Sequence, residues 1–462
     1  MRPIKKKWLW IGIGAVLLMG ITAYYWFQAN DGSAAGKLDP EASATYELDV
    51  TLDEANSFQI NAKIEVLNES KESWDTIGFY FIPNAINEEA VPGLMQDSAS
   101  TAISSVKEAN DVAAYSLENN ELLVELKEEL LPGEKRLVDI SYRLSLPEDG
   151  LRLSRKGNNF YLAQWYPMLG YYQNGWTIED FDMKGESYHT GYSDFLVSYQ
   201  LPRNYLVASS AEDGKIQENA SGQVKGTAIK DFYLAFMDPA EWSTHSAKAN
   251  DTVLRFFLPK DTEIMDETIE TAQLAYAFFE KQIGDNPSSE LDIIANDGNM
   301  EYPNAIEVAS GRRNLEQVLV HEIAHQWFYY LVSNDPYTDA WLDESVTEYA
   351  ASLFIADRYG DEKFGFESAA LMSEAYKTNK FSNLPLDQYE EAEYYATIYG
   401  KTPLLLRDFF NERGGAQEAW LFFSAYYNQH QFHTVDSETF VAFMDAYYGE
   451  EVHGYFKKWL KI

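Results

Sequence analysis

The spacing of apolar positions changes character twice along this chain. Residues 8–27 are almost wholly apolar, long enough to cross a bilayer. From about residue 44 to residue 242 the apolar positions alternate with polar ones in short segments, at 46–52, 58–67, 77–82, 122–126, 136–144 and 194–201. Turn signals such as Pro132-Gly133 and Asp213-Gly214 separate them. This predicts a β-rich domain of sandwich or saddle type. From about residue 243 helical periods dominate, beginning at 261–283 and running through to 455–460, with a short apolar strand at 291–295. The predicted class is α+β and multidomain: residues 1–29 a cytoplasmic tail and transmembrane anchor, 30–42 a linker, 43–242 the β domain and 243–462 a mainly helical domain.

The flanks of the first apolar run carry topological information. Arg2, Lys5, Lys6 and Lys7 precede it, and Trp8, Trp10, Tyr24, Tyr25 and Trp26 stand where interfacial aromatic belts stand. The basic end is expected on the cytoplasmic side and the rest of the chain outside. A cleaved signal peptide is the alternative, with Ser33, Ala34 and Ala35 offering small residues to a peptidase; the length of the run favours an uncleaved anchor. Residues 30–37 are small and polar and read as a flexible linker.

Composition narrows the chemistry. With 46% hydrophobic and 15% aromatic residues, 462 residues can bury a large core. Against 36 basic residues stand 73 acidic ones, a formal charge of −37, which argues against binding nucleic acid through its phosphates. Cysteine is absent, so disulfides, thiol catalysis and cysteine-ligated metals are excluded. An extracytoplasmic protein without disulfides points to a bacterial surface. Neither a phosphate-binding loop of the Walker type nor a dinucleotide fingerprint is present.

Residues 321–325 read HEIAH. His321 and His325 are four apart, so on a helix their imidazoles leave one face and can grip one ion. Glu322 leans toward the same cavity, where it can take a proton from a water activated by the ion. A catalytic zinc needs a third protein ligand and one open position, and Glu344, eighteen residues beyond the pentapeptide in WLDES, is the natural candidate. The pattern of Leu315, Val318, Leu319, Ile323, Trp327 and Leu331 predicts a helix capped by Asn314 and Gln317 in a capping box, with HEIAH in its middle. Ser333 to Pro336 should break it. A second helix is predicted over 341–359, ending at Gly360 and carrying Glu344 in its first turn. Glu348, one turn further, is placed to orient a ligand histidine.

HEIAHQWF, the eighteen-residue gap and WLDES together resemble the aminopeptidase N family of zinc gluzincins, which share a thermolysin-like catalytic domain. A second signature lies upstream: Gly298, Asn299, Met300, Glu301, Tyr302 and Pro303 are similar to the family's GxMEN exopeptidase motif, with Tyr302 where asparagine is usual. The resemblance implies one zinc per chain, peptide substrates, and a substrate-binding segment of Gly298, Met300 and Glu301 in which Glu301 binds the free α-amine. A buried ammonium does need a carboxylate partner. The resemblance also implies that Tyr399, in the Tyr399-Gly400-Lys401 segment, donates a hydrogen bond to the oxyanion; Tyr394 and Tyr395 stand close by as alternatives. It gives Gln164, in AQWYPM, a share in amine binding. Family members often carry a further helical C-terminal domain, so a short form is expected, with a more open cleft.

The expectation is therefore a membrane-anchored zinc aminopeptidase facing outward. A zinc endopeptidase with Glu301 merely structural is one alternative, and a surface-anchored binding module with a vestigial site another. His430 and His433, in NQHQFHT, lack an evident third ligand and are expected on a surface turn. Arg312 and Arg313 precede the HEIAH helix and read equally as substrate contacts or solvated residues.

Overall fold

The computed structural model describes residues 38–86, 98–148, 152–449 and 452–462. The apolar run at 8–27 and the linker at 30–37 lie outside the described residues. Among those described, no helix is long and apolar enough to cross a membrane.

The β domain begins with a hairpin whose turn is encoded locally. Strands Ala42–Leu52 and Ser57–Asn68 pair antiparallel. At the bend, Asp53 accepts hydrogen bonds from the backbone of Ala55 and Ser57 at 2.9 and 3.0 Å, and Asn56 adopts the left-handed conformation that its short polar side chain tolerates. Alternation does what it predicts: Tyr46, Leu48, Val50 and Leu52 are buried while Glu47, Asp49 and Thr51 are exposed. Strand Ser193–Ser209 runs parallel to the first, Thr45 opposite Asp194, and the sheet grows to ten described strands. A second sheet of Trp74–Tyr80, Glu121–Leu130, Tyr115–Glu118 and Met168–Leu169 shares its core, and rings such as Phe81 and Tyr142 meet edge to face at 5.0 Å.

Beyond the β domain the structure departs from the helical expectation for residues after 243. Strands Trp242–Ala249 and Thr252–Pro259 pair antiparallel before the first long helix, Met265–Gln282. Strands Glu290–Ile294 and Ala305–Glu307 then add in parallel. Strand Thr252–Pro259 is covered on both faces, so its residues Leu254 to Leu258 are all buried and show no alternation. The sheet ends in a hairpin that holds the Gly298-to-Pro303 segment: Met300 and Glu307 exchange both backbone hydrogen bonds, at 3.0 and 2.8 Å.

Entry into the fold is fixed from the catalytic side. Asp39 accepts from the backbone of Thr434 at 2.8 Å and lies 2.7 Å from Nδ1 of His433. His430, expected on a surface turn, is instead buried between Tyr426 and Phe443, at ring separations of 5.0 and 5.4 Å. Burial depresses its pKa to about 4, so it packs as a neutral aromatic ring.

Candidate active site

The first helix of the site spans Leu315–Ala324 and is shorter than the apolar pattern implies. Asn314 is left-handed and makes no side-chain cap, and Gln317 does not close a capping box: its amide donates to Glu348 at 2.9 Å. His325 is the C-terminal cap, so the pentapeptide ends the helix rather than sitting within it. The chain then tightens, with Gln326 and Trp327 bonding to carbonyls only three residues back at 3.1 and 3.0 Å, and strand Val332–Asn334 pairs with His433–Val435. Trp327 and Leu331 are buried, as their place in the pattern implies, but through these turns.

The second helix matches its expected limits. Residues Trp341–Ser345 form one widened π-helical turn, which continues as Val346–Tyr359 and stops at left-handed Gly360. The wide turn is held from outside: the Trp341 indole donates to Ser437 at 2.8 Å and the Ser345 hydroxyl to the Ile398 carbonyl at 2.5 Å. Glu344 therefore faces the two histidines. Nε2 of His321 lies 3.0 Å from Nε2 of His325 and 3.2 Å from Oε2 of Glu344, and the third side of the triangle is 3.3 Å. Ligands about 2.0–2.1 Å from a tetrahedral zinc stand roughly 3.3–3.4 Å apart, so the triangle is close to one face of such a site.

Each ligand is oriented by its other contacts. Nδ1 of His321 lies 3.0 Å from Oε2 of Glu348, and Nδ1 of His325 lies 3.0 Å from the Phe328 carbonyl. Both contacts favour the tautomer with the proton on Nδ1, leaving the two Nε2 lone pairs to face the ion. Burial raises the pKa of the Glu344 carboxyl, but hydrogen bonds with His321 and His325 override it and hold the group well below the carboxylate range. Burial also opposes a charge on His321, which Glu344 and Glu348 nevertheless favour. A setting that attracts a proton between carboxylates attracts a divalent cation for the same reason. Glu322 is buried, its Oε2 has no partner, and desolvation lifts its pKa to about 8.

The remaining residues expected at the site are placed as follows. Glu301 is buried, and its carboxylate, that of Glu322 and a nitrogen of His325 lie within 4.8 Å of one another. Gly298 permits a close approach: a Cβ there would come within 2.0 Å of Oε2 of Glu307. Met300 packs in a small cluster with Tyr161, Tyr233 and Tyr302. Tyr302, where asparagine is usual in the motif, is buried and stacked on Tyr233 at 4.4 Å. Gln164 is buried, donating to the Tyr188 hydroxyl at 3.1 Å, while its Oε1 has no partner. Tyr399 sits in a second π-helical turn, Ala396–Lys401, its ring 5.9 Å from that of His321. Gly400 lets that turn approach Ser373, whose nitrogen would stand 2.4 Å from a Cβ. Tyr394 is buried behind it and Tyr395 exposed beside it. Arg312 and Arg313 are exposed.

Two neighbours escaped the sequence reading. Glu186, from the β domain, is buried and receives a hydrogen bond from Nη1 of Arg152 at 2.5 Å. Oxygens of Glu186, Glu301 and Glu344 lie within 4.8 Å of one another. Nothing in the irregular stretches around residues 152 and 186 repeats or spells a motif, so only the fold brings them here.

A helical domain that ends one helix in HEIAH and opens the next with a facing glutamate, under a β sandwich, defines a zinc-metallopeptidase architecture. Residues 289–459 match the Peptidase family M1 domain, and within that stretch His321, His325 and Glu344 form a cluster able to hold a metal ion. Leukotriene A-4 hydrolase of Xenopus laevis is 29% identical over 157 residues, 31% of this chain and 26% of that protein. Aminopeptidase B of Rattus norvegicus is 27% identical over 169 residues, 33% of this chain and 26% of that protein. The chain thus matches about a quarter of the length of these curated relatives. The fold extends further: an M1 zinc metallopeptidase from Deinococcus radiodurans superposes with a TM-score of 0.65 at 15% identity, over 92% of this chain and 94% of that one.

Proposed function

We propose that the chain is a zinc aminopeptidase that removes residues from the N-termini of peptides. One observation carries the reading: the buried carboxylate of Glu301 lies beside both the Glu322 carboxylate and the His325 imidazole, within 4.8 Å of each. An ammonium held there places the first peptide bond of a substrate over the ligand triangle, which turns general hydrolysis into exopeptidase action. The likeness to aminopeptidase B, named for the same activity, supports it.

His321, His325 and Glu344 would hold the metal. When bound, zinc acidifies water and polarises the scissile carbonyl. Glu322, whose Oε2 is unpartnered and whose proton affinity burial has raised to about 8, takes the proton from the attacking water and delivers it to the departing nitrogen. The Tyr399 hydroxyl donates to the oxygen that gains charge. Glu301 holds the α-ammonium, with Gln164 part of the same buried floor through Tyr188.

The test compares aminoacyl fluorogenic substrates with their N-acetylated forms, alongside metal analysis. The expected result is one zinc per chain and turnover of free N-termini only, abolished in Glu322→Gln with zinc retained. Equal turnover of blocked substrates would make the enzyme an endopeptidase, and no turnover by zinc-loaded protein would leave a binding module. We further propose that residues 1–29 anchor the enzyme in the cell membrane with the catalytic part outside, on the strength of the basic cluster, the apolar run and its aromatic flanks. Protease added to intact cells should then remove the activity.

A further inference from the structure

We propose that Lys230 of the β domain is a positioning residue for the zinc site: by gripping Tyr329 in a strained backbone conformation, it aims the Phe328 carbonyl at Nδ1 of His325. The inference rests on the zinc reading above and adds to it which part of the β domain controls a metal ligand.

Tyr329 has a φ of 136°, a conformation closed to most residues that carry a side chain, and it is a buried aromatic ring rather than a glycine. Backbone of that kind persists only where the surroundings impose it. The Phe328 carbonyl and the Tyr329 amide share one rigid peptide plane, so rotation about this φ turns both groups together. As set, the amide donates to the Val332 carbonyl at 3.1 Å and the Phe328 carbonyl lies 3.0 Å from Nδ1 of His325. The Thr347 hydroxyl donates to the same carbonyl at 3.3 Å, a longer and weaker hold. A relaxed φ would swing that carbonyl off the imidazole, and with it the contact that keeps the proton on Nδ1 and the Nε2 lone pair toward the ion.

Lys230 supplies the restraint. It follows strand Glu218–Ile229, is 2% exposed, and has its own carbonyl fixed by the Thr190 hydroxyl at 2.6 Å. Its Nζ stands 4.2 Å from the centre of the Tyr329 ring and donates to the Tyr329 carbonyl at 3.4 Å and to the Ser333 hydroxyl at 2.9 Å. The ammonium thus holds the ring and the carbonyl of one residue at once, and a cation taken out of water needs such partners. Burial lowers the lysine's pKa, while the charges of Asp343, Asp231, Asp335 and Glu186 raise it. The Tyr192 hydroxyl donates to the Tyr330 carbonyl at 2.6 Å, so the β domain grips the next residue as well.

A merely structural Lys230 would change stability without changing the geometry at the metal. Zinc is removed from the full-length protein and its dissociation constant measured by competition with a chromophoric chelator, for the parent and for Lys230→Met; cobalt(II) then takes the place of zinc so that the visible bands of the site can be read. Lys230→Met is expected to weaken zinc about tenfold, the lower end of what outer partners of a metal ligand contribute, and to shift the cobalt bands. The bands decide. Shifted bands support the inference; the parent's bands overturn it even where zinc binds more weakly, because weaker binding alone follows from lower stability. A parent that takes up no metal overturns the zinc reading itself rather than the role of Lys230. Should Lys230→Met not fold, Ser333→Ala unties the ammonium while leaving its charge in place, and the same reading of the cobalt bands supports or overturns the inference.

Discussion

Nδ1 of His321 stands 3.0 Å from Oε2 of Glu348, one turn beyond Glu344 on the facing helix. Glu348 is in turn held by the Gln317 amide at 2.9 Å, so the two helices that carry His321 and Glu344 are laced together through a residue outside the His321, His325 and Glu344 triangle. Such a contact fixes the ring and strengthens its donor nitrogen.

Glu348→Ala should therefore weaken zinc binding by about 10–100-fold while leaving the ligand triangle intact. Competition with a chromophoric chelator measures this directly. An unchanged dissociation constant would show that the helix backbone alone orients His321.

Tyr399 is the tyrosine of its segment whose ring meets the His321 ring, at 5.9 Å, and its phenol is raised well above the ordinary range first by burial and then by the charge of Glu344. The hydroxyl consequently keeps its proton and can donate it in a hydrogen bond. Tyr399→Phe is expected to lower kcat by roughly 10²–10³ with little change in KM or zinc content. Tyr395→Phe, at an exposed ring, should change kcat little; the reverse ranking would move the donor role to Tyr395.

How far the sequence reached depended on how local the signal was. Alternation along residues 46–52 is written in adjacent residues and folded as read, and the Asp53-to-Ser57 turn that follows is equally local. The spacing of His321, His325 and Glu344 encodes a helix face and a helix start, so the ligand triangle was legible as well. Its exact setting was not: apolar period extended the first helix through Leu331, because Trp327 and Leu331 are buried whether the chain is helical or turning. Strand Thr252–Pro259 hid for the related reason that a segment covered on both sides loses its period. Arg152 and Glu186 lie in stretches with no repeating pattern, and their approach to Glu301 is a product of the two domains packing together.

Asp339 gives the folded chain a pH dependence whose sign can be worked out. Desolvation raises its pKa from the ordinary 3.8 to about 7, against the opposing Ser437 hydroxyl. Between those values the folded chain holds a proton that the unfolded chain has released. The associated stability is fully present below pH 3.8 and is lost as pH rises through about 7. Glu179, raised to about 7 chiefly by burial, acts in the same direction. Denaturation midpoints of the zinc-loaded protein, taken from about pH 4.5 to 7.5, should fall less steeply in Asp339→Asn than in the parent. Parallel curves would mean that Asp339 is ionised throughout.

Arg255 carries the strongest stability prediction, because it stands where a cation must. It is 1% exposed and pairs with Glu290 at 2.7 Å, Asp292 at 2.9 Å and Asp213 at 3.5 Å, while donating to the Val207 carbonyl at 2.9 Å. The approach to Asp292 Oδ1 is an ion pair by distance but lies off the hydrogen-bond direction. The three carboxylates converge closely enough to resemble a metal-ligand set, and the guanidinium fills that place. They are anchored as well: Asp292 accepts from Ser209 at 3.0 Å, and Glu290 from Asp213 and Gly214 at 2.9 and 3.0 Å, joining a loop of the β domain to the sheet beneath the active site. Arg255→Met would leave three buried carboxylates without a counter-charge. Breaking a buried pair from one side costs about 3–5 kcal/mol, so a large drop in the urea midpoint is expected. Burial raises the Asp292 pKa well above its ordinary range, with Arg255 opposing, so once the arginine is gone this carboxyl should take up a proton. Adding Asp292→Asn should accordingly recover part of the loss near neutral pH and little of it under acid conditions. A single variant as stable as the parent would show that water reaches the cluster and that the domain junction does not depend on it.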